Sequence, residues 1–394
     1  MNGGNLSKGV ISQGIKTPII QPGDNLQEIV ISSVVKVNEG KFEDGDIIAV
    51  TEAVVAIAQN NFATAEDVTY DLSQKFPGAK SIVVVDPIQS RNRFMAVLKA
   101  VAAMPDVEKV YVVLTYPNDE VGNPLISEID LMRSKVNPYS QMLTKDEFYE
   151  IFGKPVHPFT GKNYIEEYLT ACGGKGEVIL GNDFSQLPEI TGADDYLVCS
   201  IHRKEMTREV LKAAGTKHVL DMSEIMNASV NGSGYSEKFG LYGTNVRKDG
   251  GLKLMPRNGE EFVSAMQEAI LERFGAKVEV MIYGDGAFKD PVGGIWELAD
   301  PTPAVAKTSG LLGTPKEVKL KYITSGYEGK SSEELEAIVA EESKKRLQTT
   351  EVTGEASLGT TPRRIEDLVA SLSDLTSGSG HRQTPVIYIK NYFM

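Results

Sequence analysis

The segment VMIYGDGAFKDPVGGIWELADP places acidic and basic side chains in a glycine-rich turn that follows a hydrophobic strand. Asp285 stands just past the strand end, with Lys289 and Asp290 a few residues later. A carboxylate in this position suits Mg2+, which binds one or two carboxylates together with phosphate oxygens and retained waters. An Asx turn, in which the aspartate side chain bonds only to nearby backbone, explains the same sequence equally well. Metal binding by Asp285 is therefore one hypothesis and a structural turn is the other.

Glycines flank Asp285, and a second glycine-rich segment lies upstream in the chain. Gly284 and Gly286 would allow positive φ and close approach of the backbone to a ligand. The segment NGSGYSEKFGLYGTN, residues 231–245, offers Ser233, Thr244 and Asn245 as polar contacts, and its backbone N–H groups could form an anion-binding nest. It matches neither G-x-x-x-x-G-K-[ST] nor G-x-G-x-x-G between a strand and a helix. A phosphate-binding loop and a plain surface loop both remain open.

Two further segments place polar groups at strand-to-helix corners. Residues 47–50 read as a short buried strand and residues 53–59 as a helix, so Thr51 and Glu52 fall at the corner between them. In α/β proteins such corners hold ligands. The run IQSRNRFM follows another strand and opens a helix, where Arg91, Asn92 and Arg93 could bind a carboxylate or phosphate. Solvated arginines at a helix start would give the same pattern.

The remaining polar candidates favour structural roles. Asp119 and Glu120 end a strand and could bind metal or act as a general base, although surface acids at a strand end are more common. His157 and His202 lack the spacing of a metal-binding helix and are expected to be structural or exposed. Both cysteines, Cys172 and Cys199, lack zinc-site spacing and read as buried thiols.

The pattern of elements that must position these groups is α/β. Residues 81–116 read strand, helix, strand, which is a parallel crossover unit, and the alternation continues from 177 to 226. Residues 258–275 form the clearest helix: Asn258 can cap it with Glu261, and Gly275 closes it. Further helices are expected after 24, at 333–347 and near 365–375, and a final strand in TPVIYIKNYF.

Composition limits the classes of function. The chain has 394 residues, of which 41% are hydrophobic and 24% charged, which is typical of a globular protein with room for two domains or a large insertion. A formal net charge of −13 argues against nonspecific binding of nucleic acid or an anionic membrane. No apolar run is long enough for a membrane span, and MNGGNLSKGV lacks the apolar core of a signal peptide, so we expect a cytoplasmic protein.

Three segments together resemble the coenzyme F420-0:L-glutamate ligase family, the gamma-glutamyl ligases that extend a deazaflavin cofactor. They are GIKTPIIQPGDNLQEIV, FEDGDIIAVTEAVVAIAQ and GLYGTNVRKDGGLKLMPRNGEEFVSAMQEAILERFGAKVEVMIYGDGAF. The resemblance covers residues 14–60 and 227–290, and the chain looks like a longer bacterial member. It implies an α/β fold in which residues 1–75 and 221–330 form a mixed α+β ligase core. Residues 76–220 would be an inserted α/β domain with a parallel sheet, and residues 331–394 would pack on the core.

The resemblance also implies an activity and its partners. A homodimer would use GTP or ATP with Mg2+ or Mn2+ to phosphorylate a carboxylate-bearing acceptor, deazaflavin or folate among the options. The amine of L-glutamate or a similar amino acid would then attack the acyl phosphate. Asp285, Lys289 and Glu52 would be catalytic, and Asp285 and Asp290 would bind the metal. The nucleotide and substrates would contact residues of the second and third segments, the glycine-rich stretch just before the third, and the SRNR turn: Thr51, Arg91, Asn92, Arg93, Ser233, Thr244, Asn245, Gly284 and Gly286.

Two positions depart from the family's pattern. Tyr242 stands where the family has a metal-binding aspartate in its D-x-S-N loop, although Asn245 matches. The aspartate of the family's D-T-x-G-R turn corresponds to Gly284 or, with a shift of one residue, to Asp285, and the arginine is missing. The alternative hypothesis is therefore a nucleotide- or metabolite-binding protein that kept the ligase scaffold without its chemistry.

Overall fold

The computed structural model describes residues 9–89, 92–158, 160–286, 288–289, 296–297, 301–314, 323–327, 329–348, 363–377 and 383–393. Side chains at 92, 288–289, 296–297 and 346–348 are not described. The fold is mixed α/β, as the sequence predicts, with one mixed sheet and one largely parallel sheet as its two main layers.

The first main sheet joins strands from both ends and the middle of the chain. Its spatial order is β1 (Ile11–Ile15), β16 (Val386–Lys390), β2 (Ile47–Thr51), β12 (Glu279–Tyr283) and β15 (Ala304–Lys307). The β2 and β12 strands are parallel and pair Thr51 with Tyr283, so both end at the same edge. Since β16 lies between β1 and β2, the last described strand is an interior strand of this sheet.

The second main sheet lies within residues 81–221. Its order is β6 (Leu143–Thr144), β7 (Gly176–Leu180), β5 (Lys109–Leu114), β4 (Ser81–Val85), β8 (Asp195–Val198) and β9 (His218–Asp221). All its pairings are parallel except that of the short edge strand β6. The chain builds outward from β4 in one direction and then returns to add β8 and β9 on the other side, so a topological switch point lies between β4 and β8.

Short strands complete the described sheets. The β10 (Asn245–Val246), β11 (Leu252–Lys253) and β3 (Phe62–Ala63) strands form one antiparallel sheet, and β13 (Phe288–Lys289) pairs with β14 (Trp296–Glu297). The described helices are α1 (Leu26–Asn38), α2 (Glu52–Ala58), α3 (Ala65–Lys75), α4 (Asn92–Ala102), α5 (Glu128–Ser134), α6 (Lys145–Phe152), α7 (Tyr164–Ala171), α8 (Leu187–Thr191), α9 (Lys204–Ala213), α10 (Gly259–Phe274), α11 (Ser332–Gln348) and α12 (Ile365–Ser377).

Most predicted elements are confirmed, with one local correction. The α10 helix begins after Asn258 and ends at Gly275, whose N–H bonds the carbonyl of Leu271. Asn258, however, has φ 51° and its side chain makes no capping bond, so the predicted capping box with Glu261 is wrong. The left-handed backbone at the cap turns the asparagine side chain away from the position from which it would accept an N–H of the first turn.

Hydrophobic packing joins the two main sheets. Val50 of β2 and Val84 of β4 belong to one continuous cluster of buried side chains. A separate cluster lies between α12 and the first sheet and includes Ile47, Tyr283 and Val369. The predicted division into 1–75 with 221–330, 76–220 and 331–394 stays a prediction. Among the described helices, none combines the length and apolarity that a membrane span requires.

Candidate functional site

One pocket of about 420 Å³ lies where β2 and β12 end. The size falls within the range of small-molecule sites, roughly 300 to 1,000 Å³. Its wall contains four residues that the sequence had singled out, namely Thr51, Glu52, Asn245 and Asp285. The other lining residues come from the loop after β1, the start of α2, the end of β12, α12 and the turn before β16: Thr17, Pro18, Ile19, Ile20, Ala53, Val54, Tyr283, Asp374, Ser377, Gln383 and Pro385.

The β2–α2 corner delivers Thr51 and Glu52 as predicted. The backbone N–H of Thr51 donates to Pro385 at 2.9 Å, which fixes the corner against the turn before β16. Glu52 is buried, and both of its carboxylate oxygens accept hydrogen bonds from Lys253, whose Nζ lies 2.6 Å from Oε1 and 2.5 Å from Oε2. Because this carboxylate is matched by a lysine at hydrogen-bond distance, its charge is compensated inside the protein.

The end of β12 delivers Asp285 to the pocket. The backbone N–H of Gly284 donates to Pro303, and that of Gly286 donates to the Asp374 carboxylate at 3.0 Å. Gly286 does not use the left-handed backbone that a glycine allows. A side chain at Gly286 would instead meet Asp374 Oδ2 and Ser371 Cα at 3.2 Å, so this glycine serves close packing of the turn on α12.

Asp374 and Tyr283 are pocket residues that the sequence analysis missed. Burial raises the pKa of the Tyr283 phenol to about 12; the charges of Asp374 and Asp285 act in the same direction, while contacts with the Ser377 and Thr51 hydroxyls oppose them. Among the described residues, the phenol oxygen makes no hydrogen bond of standard geometry. Tyr283 therefore stays neutral at physiological pH; the residue lines the pocket, while its hydroxyl is enclosed by protein.

The glycine-rich loop before β10 reaches the pocket with only one of its predicted contacts. Asn245 lines the wall, whereas Thr244 is buried and donates to Leu241 at 2.9 Å. Ser233 closes a local turn by accepting from Val230 at 3.2 Å. The structure thus does not bring Thr244 or Ser233 to the pocket wall, because both hydroxyls are used to shape the loop.

Several predicted residues lie outside the described residues or have no described side chain. Arg91 and Asp290 belong to the first group, and Asn92 and Lys289 to the second. Within the ranges that the structure describes, no three His, Cys, Asp or Glu side chains converge as a metal site. Mg2+ needs only one or two protein carboxylates when phosphate oxygens and waters complete its shell, so Asp285 and Asp374 at the pocket fit that requirement.

Two predicted polar residues near the ends of strands in the second sheet are buried. Arg93 and Asp119 are both in the interior, so the solvated-arginine interpretation is wrong for Arg93 and the surface-acid interpretation is wrong for Asp119. Burial raises the pKa of Asp119 and of Glu120 to about 7. Arg93 does not line the pocket at β2 and β12, since it starts α4 beside the switch point of the other sheet.

His157, His202 and both cysteines have the burial or exposure that the sequence predicts. His157 is buried and its Nε2 lies 3.0 Å from Asn123 Oδ1, while His202 is exposed. Cys172 and Cys199 are buried free thiols, and burial raises the pKa of Cys172 to about 11. Such a pKa keeps the thiol protonated, and a protonated thiol is a poor nucleophile.

A mixed α/β protein with a ligand-sized, carboxylate-bearing pocket at the carboxyl ends of two parallel strands belongs to a class that places small-molecule chemistry at strand ends. The model of the F420-0:gamma-glutamyl ligase family matches residues 14–391, nearly the whole chain, and the chain belongs to this ligase family. The match includes the second sheet as well as the three segments that carried the resemblance. A search of curated proteins found no match.

Proposed function

We propose that this protein is an NTP- and metal-dependent amide ligase, which joins L-glutamate or a similar amino acid to a carboxylate-bearing acceptor through an acyl phosphate. The observation that carries the proposal is the convergence of Thr51, Glu52, Asn245 and Asp285 on one pocket of about 420 Å³ in a chain of the gamma-glutamyl ligase family.

The proposed reaction has two steps, phosphorylation of the acceptor and formation of the amide. In the first, an oxygen of the acceptor carboxylate attacks the γ-phosphorus, the bond to the β-phosphate oxygen breaks, and the nucleoside diphosphate leaves. In the second, the amino acid loses an ammonium proton and its nitrogen attacks the acyl carbon, so that a C–N bond forms and inorganic phosphate leaves. The first step moves charge from one oxygen to another, and the second moves it from the amine nitrogen to the oxygens of the acyl phosphate. Such steps are accelerated mainly by positioning and electrostatic stabilisation.

The pocket residues have distinct parts in this proposal. Asp285 and Asp374 would hold Mg2+ or Mn2+, with Asp290 a further candidate ligand and Lys289 a candidate phosphate contact. The bound metal would offset the phosphate charge during transfer. Asn245 and Thr51, which both line the pocket, would contact the nucleotide or acceptor by hydrogen bonds. Glu52, held by Lys253, would orient the start of α2 toward the ligand.

An alternative function has a specific observation in its favour. Tyr242, which stands where the family has a metal-binding aspartate, is buried, and its hydroxyl donates to the Ser200 carbonyl at 2.7 Å. A side chain committed to that contact does not bind a metal. The chain could therefore bind nucleotide or metabolite on a ligase scaffold without ligase activity.

The two functions separate in a turnover assay. Purified protein is incubated with GTP or ATP, Mg2+ or Mn2+, L-glutamate and a panel of acceptors that includes the F420-0 deazaflavin and folate. A ligase releases phosphate only when both acceptor and amino acid are present and yields an amide product detectable by mass spectrometry. Nucleotide binding without any dependence of phosphate release on acceptor and amino acid would support the binding protein instead.

A further inference from the structure

The pocket at β2 and β12 reaches along the edge of the first sheet to the loop after β1. Both β1 and β2 pair antiparallel with β16, so β1 runs in the same direction as β2 and β12. The pairings place one residue of each strand in a single row, namely Ile15, Val386, Val50 and Ile282. The segments that follow β1, β2 and β12 therefore leave the sheet at one edge, and all three line the pocket.

The two ends of this edge differ in chemistry. Three strand spacings separate β1 from β12, which is about 14 Å. At the β12 end the pocket wall contains Asp285 and Asp374, and Asp374 bonds the turn that follows β12. At the β1 end the wall contains Pro18 and Ile19, with Val54 beside them at the start of α2. A ligand that fills the pocket thus meets acids at one end and an apolar surface at the other.

Ile19 presents its apolar side chain to water at this pocket. The side chain is 75% exposed, whereas its neighbour Ile20 is buried in the main hydrophobic cluster and anchors one side of the loop. On the other side, the N–H of Thr17 donates to the carbonyl of Gln383 at 3.3 Å. Pro18 restricts its own backbone and that of the preceding residue. An anchored loop therefore holds Ile19 at the pocket mouth.

Such a surface favours a ligand that has a flat apolar face. Isolated exposed hydrophobic residues are common on proteins, but Ile19 shares its pocket with Pro18 and Val54. A planar ring contacts several carbons of a branched side chain at once and removes them from water. Gln383 lines the same end of the pocket, and a side-chain amide can both donate to and accept from the polar edge of a ring.

We propose that Pro18, Ile19 and Val54 form a ring-binding surface, which covers the planar heteroaromatic ring of a substrate while its reacting end lies at Asp285 and Asp374. This inference deepens the proposed function and rests on it, because the ligands are the ligase's own substrates. Two of those substrates have such a ring, the nucleobase of the NTP and the ring system of a deazaflavin or folate acceptor. The position of the surface, at the opposite end of the pocket from the acids, suits both.

Ile19 sets specificity in this proposal through binding alone. It lies at the far end of the pocket from the acids, so it holds the ring equally well before and during the reaction. Interactions of that kind lower KM without raising kcat. Loss of the Ile19 side chain should therefore raise KM for the ring-bearing substrate and leave kcat unchanged.

Isothermal titration calorimetry on the full chain tests the ring-binding surface with three kinds of probe. They are GTP or ATP with Mg2+, inorganic tripolyphosphate with Mg2+, and the acceptors F420-0 and folate. Tripolyphosphate keeps the phosphates of a nucleotide but has no ring. Ile19→Ala removes the apolar carbons and Ile19→Leu restores them, while Ile129→Ala, at an isoleucine 59% exposed on α5, is the matched control.

We expect the Kd for a ring-bearing probe to rise about tenfold in Ile19→Ala, because three side-chain carbons lose their contact with the ring. Ile19→Leu should recover most of the affinity, and Ile129→Ala should match the wild type with every probe. The Kd for tripolyphosphate should stay unchanged in all variants. An effect on the nucleotide alone assigns the surface to the nucleobase, and an effect on an acceptor alone assigns it to the acceptor ring.

Three results overturn the ring-binding surface. The first is equal affinity of wild type and Ile19→Ala for every ring-bearing probe, and the second is no binding of any such probe. The third is an equal loss of tripolyphosphate affinity in Ile19→Ala. A changed oligomeric mass of Ile19→Ala with unchanged ring affinity falls under the first result and would place Ile19 in a subunit interface.

The same proteins separate this failure from failure of the proposed function. If tripolyphosphate with Mg2+ binds and Asp285→Asn abolishes that binding, while Ile19→Ala has no effect on any probe, only the ring-binding surface is wrong. If ring binding depends on Ile19 but phosphate release never depends on acceptor and amino acid, the ligase proposal fails and the surface stands.

Discussion

Lys253 Nζ lies 2.6 and 2.5 Å from the two carboxylate oxygens of Glu52, and both side chains are buried beside the pocket at β2 and β12. The pair joins two elements separated by 201 positions in sequence, the β2–α2 corner and the short strand β11. Removing one partner of a buried pair leaves an uncompensated charge, which costs far more than the pair itself contributes.

Lys253→Met should therefore lower the free energy of unfolding by about 3 to 5 kcal/mol. Glu52→Gln combined with Lys253→Met removes both charges and should recover a substantial part of that loss. Urea denaturation of the wild type, the single variant and the double variant measures both effects. If the single variant loses less than about 1 kcal/mol, the pair is not desolvated as the structure shows.

Two substitutions at Asp374 should separate its role in stability from its role in metal binding. Asp374→Ala leaves the buried N–H of Gly286 without its acceptor and should destabilise the protein by about 1 to 3 kcal/mol. Asp374→Asn keeps a carbonyl acceptor at the same position, so most of the stability should return. If Asp374 holds the metal, NTP turnover should stay low in the asparagine variant, and equal recovery of turnover and stability would limit Asp374 to a structural role.

Asp285 is exposed at the pocket, so its loss should affect chemistry and leave folding intact. Asp285→Asn should change the free energy of unfolding by no more than about 0.5 kcal/mol, as for most surface substitutions. Metal-dependent NTP turnover should fall by at least about 100-fold, because a group aimed at developing charge is worth that much in comparable sites. Asp249→Asn, an exposed acid of the loop after β10, is the matched control; unchanged turnover in Asp285→Asn would remove Asp285 from the metal site.

Asp119 and Glu120, near the switch point of the second sheet, should give the protein an unusual dependence of stability on pH. Burial raises the pKa of Glu120 and of Asp119 to about 7 in the folded protein, from ordinary values near 4. Between these values the folded state binds more protons than the unfolded state. The free energy of unfolding contributed by these groups therefore falls as pH rises from about 4 to about 7.

Glu120→Gln should remove the share of that loss which Glu120 causes. Urea unfolding at about pH 5 and about pH 8 should show a smaller decline in stability for Glu120→Gln than for the wild type. Glu108→Gln, at an exposed acid of the same region, should keep the wild-type decline. Identical declines in wild type and Glu120→Gln would show that Glu120 is not desolvated in the folded state.

Local sequence patterns were enough to predict most helices and strands, and also the two turns that follow β2 and β12. The apolar run before Thr51 and the apolar run before Gly284 both end where strands β2 and β12 end, so Glu52 and Asp285 were found from sequence. What the sequence did not show is that these strands are neighbours, since β2 and β12 are parallel partners from distant parts of the chain. Only that pairing places the two corners on one pocket.

Long-range partners explain most of what the sequence missed. Asp374 meets Gly286 across 88 positions, and no periodicity or motif on α12 marks it as a pocket residue. Thr244 looked like a phosphate contact because its hydroxyl lies in a glycine-rich loop, but that hydroxyl bonds the loop itself. Asp119 and Glu120 looked like surface acids because burial depends on the loops that fold over a strand end, and those loops have no regular pattern.

Thermal unfolding with GTP or ATP, each with and without Mg2+ or Mn2+, tests the central claim that the pocket at β2 and β12 binds a metal-bound nucleotide. A ligand at ~100 times its Kd stabilises the folded state by about 2.7 kcal/mol, which is readily seen as a rise in Tm. The ligase account predicts a rise that requires metal, prefers one base and disappears in Asp285→Asn. No rise with any pair of nucleotide and metal, or a rise that Asp285→Asn keeps in full, would contradict it.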